Sequence, residues 1–171
     1  MITIEPQLLD ACGLINITAG GRVDEIADFF GGLLVAEDVA EEAPDAVAAT
    51  SRLTVVSLSD AENAMLVVLA ALDGMDTGEA ATFAVAEARS LAVVTDDRRA
   101  IRAAAEQVPQ VHVHRTASLL RAYVEGAGVL ARDVAAMLEA IEGTASFRPA
   151  TGSPDSDWWT TIRNRDSRRE A

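Results

Sequence analysis

The sequence predicts an α/β fold, a three-layer α/β/α sandwich built around a central and mainly parallel sheet. Short apolar or β-branched runs alternate along the chain with longer segments of helical periodicity. Strands that alternate with helices form parallel sheets, because each helix returns the chain through a right-handed crossover. The 171 residues, half of them apolar, fit one compact domain and contain no internal repeat.

The first half of the chain contains three predicted strands and their connecting helices. Val23, Ile26 and Phe30 fall on one face at helical spacing, and a pair of glycines on either side of this segment ends a helix. In chain order the elements are a buried strand at 7–10, a helix opening at 14–17, a helix at 23–30, a strand at 33–35, an acidic helix at 37–49 interrupted by Pro44, and a β-branched strand at 53–58.

The second half continues the alternation and then changes character. Ser59 or Asp60 is expected to cap a long apolar helix, and Asp73-Gly74 to turn the chain after it. The elements are helices at 60–72 and 79–90, an apolar strand at 91–95, a helix at 97–107, a strand at 108–113, and helices at 116–124 and 129–142. The predicted domain spans 1–143, and the polar segment 144–171 is interpreted as an irregular arm.

Composition excludes several kinds of protein. The single cysteine, Cys12, allows neither an internal disulfide nor a CxxC metal site. No run of eighteen apolar residues is present, and the first residues lack a secretory pattern, so a cytoplasmic location is expected. All fourteen basic residues are arginine, which excludes P-loop proteins, response-regulator receivers and haloacid-dehalogenase-type phosphatases, since each relies on a lysine beside phosphate.

The charge distribution is unusual for a protein that binds nucleic acid. The net charge is −13, and between Asp24 and Glu62 the only basic residue is Arg52. A binder of polyanions is expected to carry a basic surface. Arginines gather instead at Arg98-Arg99-Arg102 and in the tail at 163–169, so any contact with RNA should use those segments.

Four acidic positions spread over about ninety residues carry the functional prediction. They are Asp10, Glu42, Glu79 and Asp97, and most lie where an apolar run meets a helix. The carboxyl ends of parallel strands converge on one crevice, where carboxylates repel one another unless a cation neutralises them. Mg²⁺ and Mn²⁺ prefer oxygen ligands of this kind, and such a site suits phosphodiester hydrolysis.

Structural interpretations of the same residues remain open. Asp97 could cap the helix that follows it, and Asp76 with Glu79 three residues later has the spacing of a capping box. Glu42 lies in a run of acids, which is typical of a solvated face. His112 and His114 alternate along a predicted strand, which indicates that they face one side of the sheet rather than bind a metal. Trp158-Trp159 indicates either an interface with another protein or an arm that folds back on its own domain.

Six segments, in this order along the chain, together resemble the motifs of the PIN-domain family, in the branch that resembles VapC-type toxins. They are Asp10-Ala11-Cys12-Gly13-Leu14-Ile15-Asn16, Val39-Ala40-Glu41-Glu42, Thr77-Gly78-Glu79-Ala80-Ala81, Val94-Thr95-Asp96-Asp97-Arg98, His114-Arg115-Thr116-Ala117-Ser118-Leu119-Leu120 and Phe147-Arg148. Cys12 departs from the family pattern, because a small hydroxyl residue is frequent at that position.

The resemblance implies a Mg²⁺- or Mn²⁺-dependent ribonuclease that cleaves single-stranded RNA and is held in check by an antitoxin protein. It implies Asp10, Glu42, Glu79 and Asp97 as catalytic residues, and Asp10, Glu79, Asp97 and Asp96 as metal ligands. A homodimer is also expected, because family members often pair through early helices and the helices at 23–30 and 60–72 are strongly apolar. The alternative is a PIN-like binding or regulatory module without catalysis, which the acidity and Cys12 favour.

Overall fold

The computed structural model describes residues 2–167 and has the predicted α/β architecture. Its strands are β1 (Gln7–Leu9), β2 (Leu33–Ala36), β3 (Leu53–Val56), β4 (Ala92–Val94) and β5 (Val113–His114). Its helices are α1 (Ala11–Ala19), α2 (Val23–Phe30), α3 (Glu37–Glu42), α4 (Pro44–Ala48), α5 (Asp60–Ala70), α6 (Thr77–Arg89), α7 (Arg98–Gln107), α8 (Thr116–Ala127), α9 (Ala131–Thr144) and α10 (Ser156–Ser167).

The five strands form one sheet in the order β3-β2-β1-β4-β5, and all four pairings are parallel. The chain builds the sheet outward from β1 in one direction and then, from β4, in the other. The strand order therefore reverses between β1 and β4, where Leu9 lies opposite Val94. A crevice opens at the carboxyl ends of the strands at such a reversal, which is where ligands bind in open α/β sheets.

Helices cover both faces of the sheet, as the sequence predicts. Successive side chains of a strand point to opposite faces, so Leu8 and Val93 pack with α5, α6 and α7, while Leu9 and Val94 pack with α1, α2, α8 and α9. Alanine and glycine make up five of the eight buried residues of α6, and such small side chains let a helix lie close against a sheet. The apolar face of α2 is buried inside this layer, so it contributes no free surface for a dimer.

The strand predicted at 108–113 is wrong over most of its length. Val108 ends α7 and its carbonyl oxygen accepts a hydrogen bond from Val111 N–H at 3.0 Å, which closes a turn around Pro109. Only Val113 and His114 pair with β4. Proline lacks the N–H that a central strand needs and favours turns, so it outweighs the valines on either side.

The C-terminal arm is not irregular as expected, because α10 occupies Ser156–Ser167 and packs on α9. Trp159 is 2% exposed, and its indole Nε1 donates to Glu142 Oε1 at 2.7 Å. Asp155, also buried, accepts a hydrogen bond from the hydroxyl of Ser118 and lies 3.5 Å from Arg121 Nη1. The arm therefore folds back on its own domain, which was one of the two interpretations of Trp158-Trp159.

Candidate metal and catalytic site

The sheet brings two acidic segments to the same edge. Asp10 directly follows β1, and Thr95-Asp96-Asp97 directly follows β4, its parallel neighbour. The backbone N–H of Asp10 donates to Val94 O at 3.2 Å, so the two strand ends stay in register up to the first carboxylate. These residues lie where the strand order reverses.

Asp10 is the most buried carboxylate of this edge, with 3% of its surface exposed. It caps α1, because its Oδ1 accepts from Gly13 N–H at 2.5 Å. Burial raises the pKa of Asp10 to about 6, against opposing hydrogen bonds from Thr95 and Gly13, and the charges of Asp96 and Asp97 raise it further. The carboxylate is thus held in place by the protein but is poorly compensated as an anion.

Glu79 reaches the same region from the first turn of α6. It forms the predicted capping box with Asp76: Glu79 Oε2 accepts from Asp76 N–H at 2.9 Å, and Asp76 Oδ1 accepts from Glu79 N–H at 2.8 Å. Burial is the main cause that raises the pKa of Glu79 to about 7, and the charges of Asp76, Asp97 and Asp10 add to it. Glu79 is therefore half-buried and within electrostatic range of both strand ends.

Asp97 and Asp96 are held in different ways after β4. Asp97 caps α7, and its Oδ1 accepts from Arg99 N–H at 2.6 Å and Ala100 N–H at 2.9 Å. Asp96 faces the start of α8, where its Oδ2 accepts from Thr116 N–H at 3.3 Å. Burial raises the pKa of Asp96, while contact with Thr116 and the charge of Arg115 oppose the rise.

Glu42 is exposed at the end of α3, yet its carboxylate reaches the first turn of α6. A methyl group in place of the Gly78 hydrogen would lie 2.8 Å from Glu42 Oε2. Partial burial is the main cause that raises the pKa of the Cys12 thiol to about 11. The negative charges of Asp10, Glu42 and Glu79 raise that pKa further. Cys12 therefore lies among three of the four predicted carboxylates.

Two glycines that sequence reasoning did not single out make room for these carboxylates. A Cβ at Gly13 would lie 2.9 Å from Asp10 Oδ1 and 3.0 Å from Val94 O, and a Cβ at Gly78 would crowd Glu42. The spacing of Gly13 three residues after Asp10, and of Gly78 directly before Glu79, is the signal that could have found them. Close approach of a side chain to a helix backbone requires a residue without Cβ.

The donor set fits a hard divalent cation, because it consists of carboxylate oxygens with the buried Thr95 and Thr116 hydroxyls beside them. The Thr116 hydroxyl oxygen makes no hydrogen bond of ordinary geometry among the described residues. Among the side chains that the structure describes, however, no group of three or more from Asp, Glu, His or Cys is close enough together to hold an ion. Binding would require the carboxylates to turn towards one another.

The arginines predicted to meet RNA have separate surroundings. Arg99 lies 3.5 Å from Asp73, Arg163 pairs with Glu142, and Arg98 borders a cavity next to Asp96. Arg168 and Arg169 lie outside the described residues. Among the described helices, none is long and apolar enough to cross a bilayer.

The chain is therefore an α/β protein with an all-parallel sheet, and its acidic residues gather at the carboxyl ends of the strands where the strand order reverses. A family model described as a PIN domain matches residues 7–151, and the chain belongs to that family. PIN domains are typically ribonucleases and typically bind a divalent metal. Searches of curated proteins and of solved structures found no match.

Proposed function

We propose that this protein is a divalent-metal-dependent ribonuclease that hydrolyses phosphodiester bonds of single-stranded RNA. The observation that carries the proposal is the position of carboxylates from three separate elements at one edge of the sheet: Asp10 after β1, Asp96 and Asp97 after β4, and Glu79 in the first turn of α6. The charges of Asp96 and Asp97 act on Asp10, and those of Asp97 and Asp10 act on Glu79. Helix caps need no such convergence, whereas a cation site does.

Each carboxylate has a role in the proposal. Asp10, Asp97 and Glu79 would hold Mg²⁺ or Mn²⁺, with Asp96 beside them. A cation bound there would stabilise the negative charge on the phosphate and would lower the pKa of a water molecule. Glu79 Oε2 accepts from Asp76 N–H, which leaves Oε1 as the atom that would take a proton from the attacking water. Glu42 would complete the acidic pocket.

The proposal extends to partners. A homodimer would use α5, on which Val67 is 68% exposed and Val68 is 52% exposed. An antitoxin protein would cover the acidic cleft with arginine or lysine, since that pairing also displaces the cation. Light scattering of the protein, alone and with the product of the adjacent gene, tests this part. A monomer that ignores that product would contradict the toxin–antitoxin role without affecting the nuclease.

A second candidate function is a PIN-like binding or regulatory module without catalysis. It is favoured by the finding that no three acidic, histidine or cysteine side chains among those the structure describes are already placed to hold an ion. The exposed Cys12 among the carboxylates is a weaker hydrogen-bond partner for water or phosphate than a hydroxyl would be, which also favours it. Both candidates predict a folded, acidic protein, so activity decides between them.

The deciding experiment is cleavage of a labelled single-stranded RNA with Mn²⁺, with and without EDTA. The Asp97→Asn variant should lose activity by roughly 10²–10⁴-fold, the range for loss of one acid–base or ligand group. It should remain folded, because asparagine caps a helix about as well as aspartate. Asp60→Asn, at the exposed first residue of α5, is the matched control. Full activity in Asp97→Asn would remove that residue from the mechanism.

A further inference from the structure

A cavity of about 370 Å³ adjoins the acidic centre on the side of the C-terminal arm. Asp96 belongs to both, since it lies directly between β4 and Asp97 at the acidic edge of the sheet and also lines the cavity. The opposite wall is the arm, from Phe147 to Asp155. The cavity therefore continues the cleft in one direction along the surface.

The lining of this cavity is basic in an otherwise acidic protein. Three arginines, Arg98, Arg115 and Arg148, face two carboxylates, Asp96 and Asp155, so the lining carries a net positive charge where the whole chain carries −13. No nucleic-acid-binding surface was expected from the first half of the sequence. The arginines come from three distant segments, which is why their convergence is invisible in the sequence.

The arginines differ in how far the protein already neutralises them. Among the side chains that the structure describes, none forms an ion pair or a hydrogen bond with the guanidinium group of Arg98. Arg115 Nη1 donates to the backbone carbonyl of Asp96 at 2.7 Å, which fixes its position beside the acidic centre. Arg148 Nη2 lies 2.8 Å from Glu142 Oε2, but that carboxylate is shared with Trp159 and Arg163.

The segment from Phe147 to Asp155, which forms the arm wall, is held at both ends by contacts with helices of the domain. The hydroxyl of Ser118 donates to Asp155, and Arg121 pairs with the same carboxylate, so one end of the wall is tied to α8. The Phe147 ring packs edge-on against Trp159, 5.7 Å between centroids, so the other end is tied to α10. Phe147 also lines the cavity and offers an apolar surface to a ribose or base.

We propose that this arginine-lined cavity binds a backbone phosphate of single-stranded RNA next to the bond that the acidic centre would cleave. The inference rests on the ribonuclease proposed above. Guanidinium groups match phosphate geometry, and a positive groove that leads to a carboxylate centre is what an anionic strand needs in order to approach it. An acidic peptide would meet the same arginines, but the Phe147 ring in the lining gives a base or ribose an apolar surface that such a peptide would not use.

The test is binding of a fluorescein-labelled single-stranded 12-mer oligouridylate in EDTA, measured by fluorescence anisotropy over a range of NaCl concentrations. The Arg98→Gln/Arg148→Gln variant should bind several-fold more weakly. Its slope of log affinity against log salt should be shallower by about 0.7, the value for one lost phosphate contact of a single strand. Ala150→Trp should weaken binding by filling the cavity while it leaves the charge unchanged. Arg132→Gln, at an exposed arginine of α9, should match the wild type.

Small ligands and the cleavage assay separate the remaining outcomes. Displacement of the oligonucleotide by micromolar UMP or inorganic phosphate, or equally well by an oligoglutamate peptide, would overturn the proposal of an RNA strand. A double variant with the wild-type salt slope, or with the wild-type KM for cleavage, would overturn the subsite and leave the ribonuclease intact. Arginine-dependent binding by a protein that cuts no RNA would support the subsite and refute the ribonuclease.

Discussion

Three carboxylates at the sheet edge each use one of their two oxygens to cap a helix. Asp10 Oδ1 caps α1, Asp97 Oδ1 caps α7, and Glu79 Oε2 closes the capping box of α6. The structural and functional interpretations of these residues are therefore compatible. Capping fixes the position of each carboxylate, and the positive end of each helix dipole tempers its charge.

The position of the Glu42 carboxylate depends on Gly78, which has no side chain to displace it. Gly78→Ala would place a methyl group 2.8 Å from Glu42 Oε2 and would push that flexible carboxylate out of the cleft. We expect RNA cleavage to fall while the free energy of unfolding changes by less than about 1 kcal/mol, because alanine favours the helix. Gly143→Ala in α9, where the added methyl group meets nothing within 4 Å, is the control and should leave activity unchanged. Unimpaired cleavage by Gly78→Ala would argue that Glu42 is a solvated acid.

At the scale of elements, an ion pair with a buried carboxylate joins α5 and α6, two of the three helices on the face of the sheet that Leu8 and Val93 occupy. Glu62 of α5 is 3% exposed and accepts from Arg89 Nε of α6 at 2.7 Å. Arg89 is the chief cause that lowers the pKa of Glu62 to about 2, against the opposing effect of burial. The cap of α5 and the packing of α5 on α6 thus depend on the same carboxylate.

Glu62→Gln should lower the free energy of unfolding at pH 7 by about 1–3 kcal/mol, because Arg89 loses its charged partner. Because the folded pKa of Glu62 is depressed, this stabilisation is present above the unfolded pKa of about 4.3 and is lost as the pH falls towards 2. The difference between wild type and variant in urea unfolding should therefore shrink across that range. Glu125→Gln, which breaks an exposed pair with Arg121, should cost only about 0.3–0.5 kcal/mol. A difference that stays constant down to pH 2.5 would contradict this role.

The arm is a second element whose contribution to stability can be measured. Trp159→Ala should lower the free energy of unfolding by about 3–5 kcal/mol, because it removes a buried ring and leaves Glu142 without its indole donor. Trp158→Ala, at the half-buried neighbour, should cost clearly less. Equal and small effects of the two changes in urea unfolding would mean that α10 separates from the domain before the rest unfolds.

On the scale of the whole molecule, the sequence predicted the architecture well because its signals are local and consistent. Alternating apolar runs and helical periodicity located four of the five strands and most helices. Two failures have specific causes. The valines at 108–113 suggested a strand, but Pro109 ends it, and the polar composition after Gly143 hid the helical spacing of Trp158, Trp159 and Ile162.

The candidate site was predictable in part. Asp10 and Asp97 stood out because each follows a buried strand, and parallel strands end at one edge. The surroundings were not predictable from spacing, because they depend on tertiary contacts between distant segments. The room that Gly78 leaves for Glu42 and the convergence of Arg98, Arg115 and Arg148 are examples.

The central claim is that the carboxylates at the ends of β1 and β4 and at the start of α6 bind a divalent cation. The most direct test is the melting temperature of the wild type and of Asp10→Asn with and without millimolar Mn²⁺, at matched ionic strength. A cation at 100 times its Kd stabilises the folded state by about 2.7 kcal/mol. That free energy corresponds to a rise of roughly 5–10 °C for a chain of this size. Asp10→Asn keeps the cap but loses the charge, so it should melt at or above the metal-free wild type and should not respond to Mn²⁺. A wild type that ignores Mn²⁺, or a variant that responds equally, would contradict the claim.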